Sequence, residues 1–390
     1  MLPLAELEAL LRLRCVPGLG NVRLRTLLRE HGSAEAVARL PPALLGPQGG
    51  ERDDGRTRAR VARALRVIDE LNVTVVAGQA PDYPEVLNEL HRPPLLLFLR
   101  GHATLLGSGG VAVVGTRRPA EYGIGAAAHL AGGIARAGLT VWSGMARGID
   151  AAAHRAALDA GGPSVAVLGC GVDVVYPREH AGLAERIATD GLLVSEYLPG
   201  EPPLAHHFPE RNRLLACLAA GVLVVEARAD GGALITAEQA TELGRAVMAV
   251  PGPIGRMTSY GPNRLIQDGA KLVMEVADVL EELGFELNAR AALGRPSARR
   301  RWSARPREAA PEAEAAPEPV PKPRPAGEGT VAPRYRGVWR ALGTEARHID
   351  EIAVACAQPV ADLLPLLLEL ELDGRAGQVG GNRYRRFSER

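Results

Sequence analysis

Short apolar runs recur through the middle of the chain, and each passes directly into a glycine-bearing turn. They are VAVVGTRRPAEYG (111–123), TVWSGMARGID (140–150), SVAVLGCGVD (164–173), GVLVVEARADGGALITA (221–237) and AVMAVPGP (246–253). A run apolar on both faces is the mark of a strand inside a parallel sheet, covered on both sides. The intervals carry helical periodicity, at 124–138, 149–160, 179–190, 209–220, 233–245 and 262–268. Two more strands are expected upstream, at 73–77 and 95–100. The alternation predicts an α/β fold, an extended Rossmann-like, doubly wound parallel sheet. A strand that ends in a glycine turn and opens a helix leaves backbone N–H groups free at the helix N-terminus, which is an anion site. Five such turns in succession describe the carboxyl edge of a sheet shaped for a phosphorylated ligand.

The flanks have a different pattern. Leu7, Leu10, Leu11 and Val16 precede a Pro17-Gly18-Leu19-Gly20 turn, and Val22, Leu24, Leu27 and Leu28 follow it at helical spacing. This resembles a helix-hairpin-helix (or SAM-like) unit, either a packing module or a holder of DNA phosphate. A loop is expected over 41–55 and a charged amphipathic helix over 57–71. Pro, Ala, Glu and Arg dominate 295–333 almost without large apolar residues, the composition of a flexible linker. Helical periodicity then resumes. Ile349, Ile352, Ala353 and Cys356 form one face, Leu363, Leu364, Leu367 and Leu368 another, and a strand-like GQVGGNRYRRF follows. The expected organisation is therefore a helical module (1–55), an extended Rossmann-like core (56–287), a linker (288–333) and a winged-helix domain (334–390).

Composition narrows the setting more than the chemistry. Hydrophobic residues make up 46% and charged residues 23% of 390, an ordinary balance for a globular chain, with room for two or three domains. A net charge of +1 says nothing about nucleic acid, because local patches decide that. Lysine occurs only at 271 and 322, and the excess of arginine, alanine, glycine and proline reads as base-composition bias. Cys15, Cys170, Cys217 and Cys356 are too scattered for a disulfide framework or a metal site. Glu6, Glu8 and Arg12 stand where a signal peptide would be apolar, and no run approaches the length of a membrane span. These features lead to the expectation of a reduced, cytoplasmic protein away from the membrane.

The first sharp signal is Gly115, Thr116, Arg117 and Arg118, where forked guanidinium donors meet a strand-turn-helix. The second is HHFPERNRLLA (206–216), in which Phe208 stands beside Arg211, Asn212 and Arg213. A ring for base stacking among cations for phosphates is what single-stranded nucleic acid requires. Alternatively Phe208 plugs the core and Asn212 caps a helix. Arg147 adds a cation in the second glycine turn, where Asp150 and His154 lie one helical turn apart and can hydrogen-bond. With no nucleophile nearby, that pair reads as an orienting or capping device. His206 and His207 lack a third ligand at metal spacing. G-x-G-x-x-G is missing from the first strand-helix turn, and GCGVDV at 169–174 lacks the third glycine and the later acidic residue, so no dinucleotide cofactor is expected.

These blocks together resemble the DNA processing protein A family (DprA, also called Smf). The motifs are VVGTRRPAEYG, SGMARGIDAAAH, VLGCGVDVVYP, SEYLPG, FPERNRLLA, GGALITAEQATELGRAVMAVPG and GPNRLIQDGAKLV, in the family's order over about 80–280. The resemblance implies a cytoplasmic homodimer built on the Rossmann-like core, without enzymatic activity, that binds single-stranded DNA and hands it to the RecA recombinase, as in natural transformation or in repair. It implies that Thr116, Arg117 and Arg118 lie at the DNA backbone, Phe208 at a base, and Arg211 and Arg213 along the pocket. Thr116 stands where serine is usual and keeps the hydroxyl. Cys170 replaces a small unreactive residue.

Two readings compete with this one. A nucleoside-monophosphate phosphoribohydrolase would use Glu226 or Glu238 as acid-base group and Arg117 on phosphate, but ADGGALITAEQ only partly echoes the P-G-G-x-G-T-x-x-E turn of those enzymes. A duplex-binding regulator would use the terminal domain, yet 360–373 carries Asp362, Glu369, Glu371 and Asp373 and no basic residue, which repels phosphate. That helix is expected to meet protein or a second copy. The wing, with Arg375, Arg383, Arg385 and Arg386, is expected to make at most auxiliary DNA contact.

Overall fold

A computed structural model describes residues 2–46, 54–78, 80–284, 333–343, 345–372, 375–378 and 383–386. The expected linker lies outside the described residues as far as 332. Two compact units, 1–299 and 300–390, divide the chain.

In the first unit, α1 (Leu4–Arg14), α2 (Asn21–His31), α3 (Ala34–Ala38), α4 (Pro42–Leu45) and α5 (Gly55–Glu70) precede the sheet. The strands are β1 (Thr74–Ala77), β2 (Leu96–Gly101), β3 (Val111–Val114), β4 (Val141–Ser143), β5 (Ser164–Val167), β6 (Leu192–Ser195), β7 (Gly221–Val224), β8 (Ala246–Ala249) and β9 (Lys271–Leu272). Between them run α6 (Glu121–Arg136), α7 (Ile149–Asp159), α8 (Ala181–Asp190), α9 (His207–Leu218), α10 (Gly232–Glu242) and α11 (Met257–Gln267), and α12 (Val276–Glu282) closes the unit. The nine strands are ordered β1-β2-β6-β5-β4-β3-β7-β8-β9. The seven from β6 to β9 are parallel, and β2 runs antiparallel to both β1 and β6. β6 is not among the five glycine-turn runs, because its apolar stretch ends in Ser195-Glu196 rather than glycine.

Strand residues alternate between two packed faces. Ala112, Val114, Trp142, Val165 and Val222 face α9 and α10. Val111, Val113, Val141 and Leu223 face α6, α7 and α12. Phe98, Ala166 and Leu193 share a third cluster with Leu11, Leu13 and Leu24 of the N-terminal helices and Val61 and Ala64 of α5. The helices before the sheet thus bury their apolar stripes on the core.

The second unit holds α13 (Arg336–Ala341), β10 (Arg347–His348), α14 (Ile349–Cys356), α15 (Val360–Leu372), β11 (Ala376–Gln378) and β12 (Arg383–Arg386), with sheet order β10-β12-β11. Ile349, Ile352, Leu363 and Leu367 fill its core beside Trp339 and Tyr384. Leu364 does not: it is 46% exposed, and Leu370 takes the inward position, completing the i, i+4, i+7 stripe from Leu363. The side chains of Leu368 and Glu371, and all of Asp373, lie outside the described residues. Glu369 is held within the unit by Arg334 at 2.8 Å and by the Tyr335 hydroxyl. Arg383 and Arg385 of β12 are exposed.

Candidate nucleic-acid interface

Strand order picks the place. From β3 the chain winds outward through β4, β5 and β6, then returns to β7 beside β3 and winds the other way through β8 and β9. Loops leaving the carboxyl ends of β3 and β7 diverge, which opens a crevice between them. A groove of about 830 Å3 lies there, walled by Gly115, Thr116, Arg117 and Arg118 on one side and by Phe208, Arg211 and Asn212 on another. Ala227, Arg228, Gly231 and Gly232, after β7, complete it.

The turn after β3 is fixed by the end of β7. A Cβ on Gly115 would stand 2.5 Å from Ile149 Cγ1 and 2.8 Å from the Glu226 carbonyl, so only glycine lets the two strand ends approach. Thr116 N donates to Glu226 O at 2.7 Å, and Thr116 O accepts from Ile149 N at 3.3 Å. Glu226 is buried, and its Oε2 accepts from Ala120 N at 2.9 Å, a carboxylate set at the N-terminus of α6. Arg118 N donates to Thr116 Oγ1 at 3.2 Å. The backbone that presents the two arginines is thereby tied at four points.

Arg117 extends over Phe208, its Cζ 5.3 Å from the ring centroid. Gly169 leaves room beneath that ring, where a Cβ would meet Phe208 Cδ1 at 3.1 Å. Tyr176 lies beside it, centroids 5.4 Å apart and planes tilted by 44°. Phe208 is half-buried, so it is neither a core plug nor a free ring. Asn212 sits inside α9 and caps nothing. Its Nδ2 donates to Gly232 O at 3.3 Å and its Oδ1 accepts from Arg211 Nε at 3.1 Å, which pins α9 to the start of α10.

Arg211 forms the floor. It is 4% exposed and donates from Nη1 to Val167 O at 2.5 Å. Asp150 is also buried in the groove base, accepting from Gly144 N at 3.1 Å and Ala146 N at 3.2 Å. Burial pushes the Asp150 carboxyl up and the Arg211 guanidinium down, and the charge of each opposes the shift in the other.

Two of the arginines expected at the site lie elsewhere. Arg147 is exposed and paired with Glu179, off the groove wall. Arg213 pairs with Glu196 and donates to Arg92 O at 2.7 Å. It lines a second cavity of about 930 Å3, together with Gly20 and Asn21 of the α1–α2 turn. The reason is angular: residues two apart on a helix point about 200° apart, so Arg211 and Arg213 take opposite faces of α9.

Other expectations resolve locally. Asp150 and His154 do not bond to each other. His154 Nδ1 meets Ser164 Oγ at 2.7 Å, while Asp150 holds the turn before α7. His207 stacks on Tyr197 at 3.9 Å, with Nδ1 3.2 Å from Gly169 O. Cys170 is buried, its thiol pushed up to about 12 by burial and donating to Val174 O at 3.1 Å. Neither Glu226 nor Glu238 lines the groove. Tyr176, Gly144 and Thr258 belong to the site or its support without having been singled out. Two of these had a signal: Gly144 is the glycine of the second glycine turn, and Tyr176 is an aromatic before proline after a glycine turn.

Comparison with known proteins agrees with this geometry. Residues 74–284 match the family profile of DNA recombination-mediator protein A, and residues 308–382 match that of the DprA winged helix domain. Protein Smf of Escherichia coli is 36% identical over 329 residues, covering 84% of this chain and 81% of its own. DNA processing protein DprA of Streptococcus pneumoniae is 47% identical over 203 residues, 52% of this chain and 72% of that one. The crystal structure of the pneumococcal protein superposes with a TM-score of 0.60 at 38% identity, over 71% of this chain and 97% of that one. DNA processing protein A of Helicobacter pylori, described for its single-stranded DNA binding mode, superposes with a TM-score of 0.50 at 27% identity, over 55% and 96% of the two chains. The glycine turns, the crevice they frame and the extent of these matches lead to one assignment: this chain belongs to the DNA recombination-mediator protein A (DprA, or Smf) family.

Proposed function

We propose that this chain binds single-stranded DNA in the groove between the β3 and β7 turns, without chemical turnover, and passes it to the RecA recombinase. The observation that carries the reading is Arg117 lodged over Phe208, with Arg118 beside it, in one groove. A ring and cations side by side suit base and phosphate together. The Helicobacter pylori relative, known for binding single strands, supports the same ligand. In this reading Gly115, Thr116, Arg117, Arg118, Phe208 and Asn212 meet DNA, and Arg211 braces the floor. Hand-over to RecA rests on family membership.

The same reading includes a homodimer formed by the core. Ile254, Met257, Tyr260 and Met274 are exposed around α11 and β9, an apolar surface suited to a second copy. The four cysteines are free thiols, which suits the cytoplasm, and no helix among the described residues is long and apolar enough to cross a membrane.

Fluorescence anisotropy with labelled single-stranded and duplex oligonucleotides over a salt series tests the function. Wild type is expected to prefer the single strand. Arg117→Ala is expected to weaken binding about tenfold and to reduce the salt slope by about 0.7, the share of one phosphate contact. Equal or absent binding to both DNA forms refutes the reading. Turnover of nucleoside monophosphates that disappears in Glu238→Gln would put a hydrolase in its place.

A further inference from the structure

We propose that the arginine stripe of α5 carries the DNA backbone beyond the groove, as a second, purely electrostatic stretch of the same path. This inference rests on the single-strand reading above. α5 buries Thr57, Val61 and Ala64 on the core. Arg56, Arg60 and Arg63 follow one another at i, i+4 and i+7 on its flank, and Arg66 lies one turn beyond Arg63. All four are exposed, and they span about 15 Å of helix axis.

Two loops join this stripe to the groove rim. Arg63 lies against Gly200, where a Cβ would stand 2.5 Å from its Nε, and pairs with Asp173 at 3.7 Å. Arg60 pairs with Glu201 at 3.7 Å, and Glu201 reaches His207, the neighbour of Phe208, at 3.9 Å. Gly200 N donates to Asp173 Oδ1 at 2.7 Å and Gly171 N to Glu201 O at 2.9 Å, so the loops are locked together. The same loops supply Tyr176 and Pro203 to the rim of the groove. Tyr176 and Pro203 are each three residues from a partner of Arg63, a span of at most about 10 Å. A strand leaving the groove past Tyr176 and Pro203 therefore meets Arg63 next.

The chemistry of the stripe selects a polyanion. None of the exposed large apolar side chains of the chain lies on α5, so it lacks the apolar centre that a protein interface needs. It carries no aromatic residue for stacking, which confines it to phosphate. Asp173 and Glu201 face the stripe and Asp54 caps its start, while Asp69 and Glu70 follow Arg66. In the pairs to Asp173 and Glu201 the guanidinium sides are about half exposed and the contacts long, 3.7 Å each, so phosphate can compete for the arginines while the carboxylates keep their loop contacts. The Arg56 and Arg66 side chains are in no hydrogen bond or ion pair with a described side chain, although Arg56 lies in the field of the Asp54 carboxylate that caps the helix.

The test measures salt-dependent anisotropy on the full chain with oligothymidylates of about 6 and about 20 nucleotides, one within and one beyond a single site of this size. For Arg56→Gln/Arg63→Gln/Arg66→Gln, the short oligonucleotide is expected to bind as to wild type. The long one is expected to lose about tenfold in affinity and about 2 in salt slope, the sum of three single-strand phosphate contacts. The triple lysine variant is expected to retain both, because a point charge suffices. Wild-type affinity and slope on the long oligonucleotide, or equal loss on both lengths, overturn the proposal. Failure of wild type to bind either length overturns the single-strand reading, and this proposal with it.

Discussion

Arg211 is an arginine that solvent barely reaches, held in the field of the Asp150 carboxylate, and Gly144 leaves room for it. A Cβ at Gly144 would stand 2.1 Å from Arg211 Nη1, and the guanidinium has nowhere to retreat without losing Val167 O. Gly144→Ala is therefore expected to destabilise the protein by about 1–3 kcal/mol, the usual cost of overpacking, and to lower single-strand affinity by displacing Arg211 from the groove floor. Urea denaturation and anisotropy on one preparation check both effects. Gly182→Ala in α8, where a Cβ meets nothing within 4 Å, serves as the comparison and is expected to be neutral or slightly stabilising. The sequence presents Arg117, Arg118, Arg147, Arg211 and Arg213 as equivalent cations. Two point into the groove, one supports its floor, and the others are engaged with Glu179 and Glu196. Residue type and proximity in the chain cannot separate these roles. The helical angle separates Arg211 from Arg213, while the partners of Arg147 depend on a loop thirty-two positions away.

At the level of elements, α7 is joined to β5 by a polar contact inside an apolar interface. His154 is fully buried, its Nδ1 on Ser164 Oγ, and Ser164 in turn donates to Val141 O at 3.0 Å. Burial holds its imidazole down to about 3, so it stays neutral in the fold. The unfolded chain takes up that proton below about 6.5, so the contribution is complete above 6.5 and lost as pH falls toward 3, at roughly 1 kcal/mol per pH unit. Denaturation midpoints of wild type and His154→Asn between pH 7 and pH 4 should converge as the pH drops; parallel curves would refute the assignment. The elements themselves were largely legible. Runs such as VAVV and SVAV, placed before glycine, gave β3 and β5 within a residue of where they lie. β6 escaped because no glycine follows it, and α9 starts at His207, ahead of the expected 209, since Pro209 is tolerated in a first turn. The groove wall was legible at Gly115 and Phe208, whose local patterns are distinctive. Asp150 was legible as an orienting residue through its local bonds to Gly144 N and Ala146 N, whereas the packing of Gly144 against Arg211, sixty-seven positions away, is a distant contact that periodicity does not report.

Across the whole molecule, the two units divide the chain at a point well beyond the groove. The groove and the α5 stripe both belong to the first unit, and the described part of α15 offers Asp362 and a Glu369 already engaged by Arg334. Removing 334–390 is therefore expected to leave single-strand affinity within about twofold and the salt slope unchanged, since the number of phosphate contacts stays the same. A large fall in slope would instead give the wing a direct share of the DNA. The sheet's last strand has a separate consequence. β9 is two residues long and includes Lys271, engaged with Glu281 at 3.4 Å. So short and charged an edge cannot template further strands by backbone pairing. In the homodimer proposed above, copies would meet there through the exposed Ile254, Met257, Tyr260 and Met274, and a two-fold pairing of one such patch is used up once two are joined. Assembly of the proposed kind would stop at a pair at this edge, where a longer bare strand would have invited a fibre.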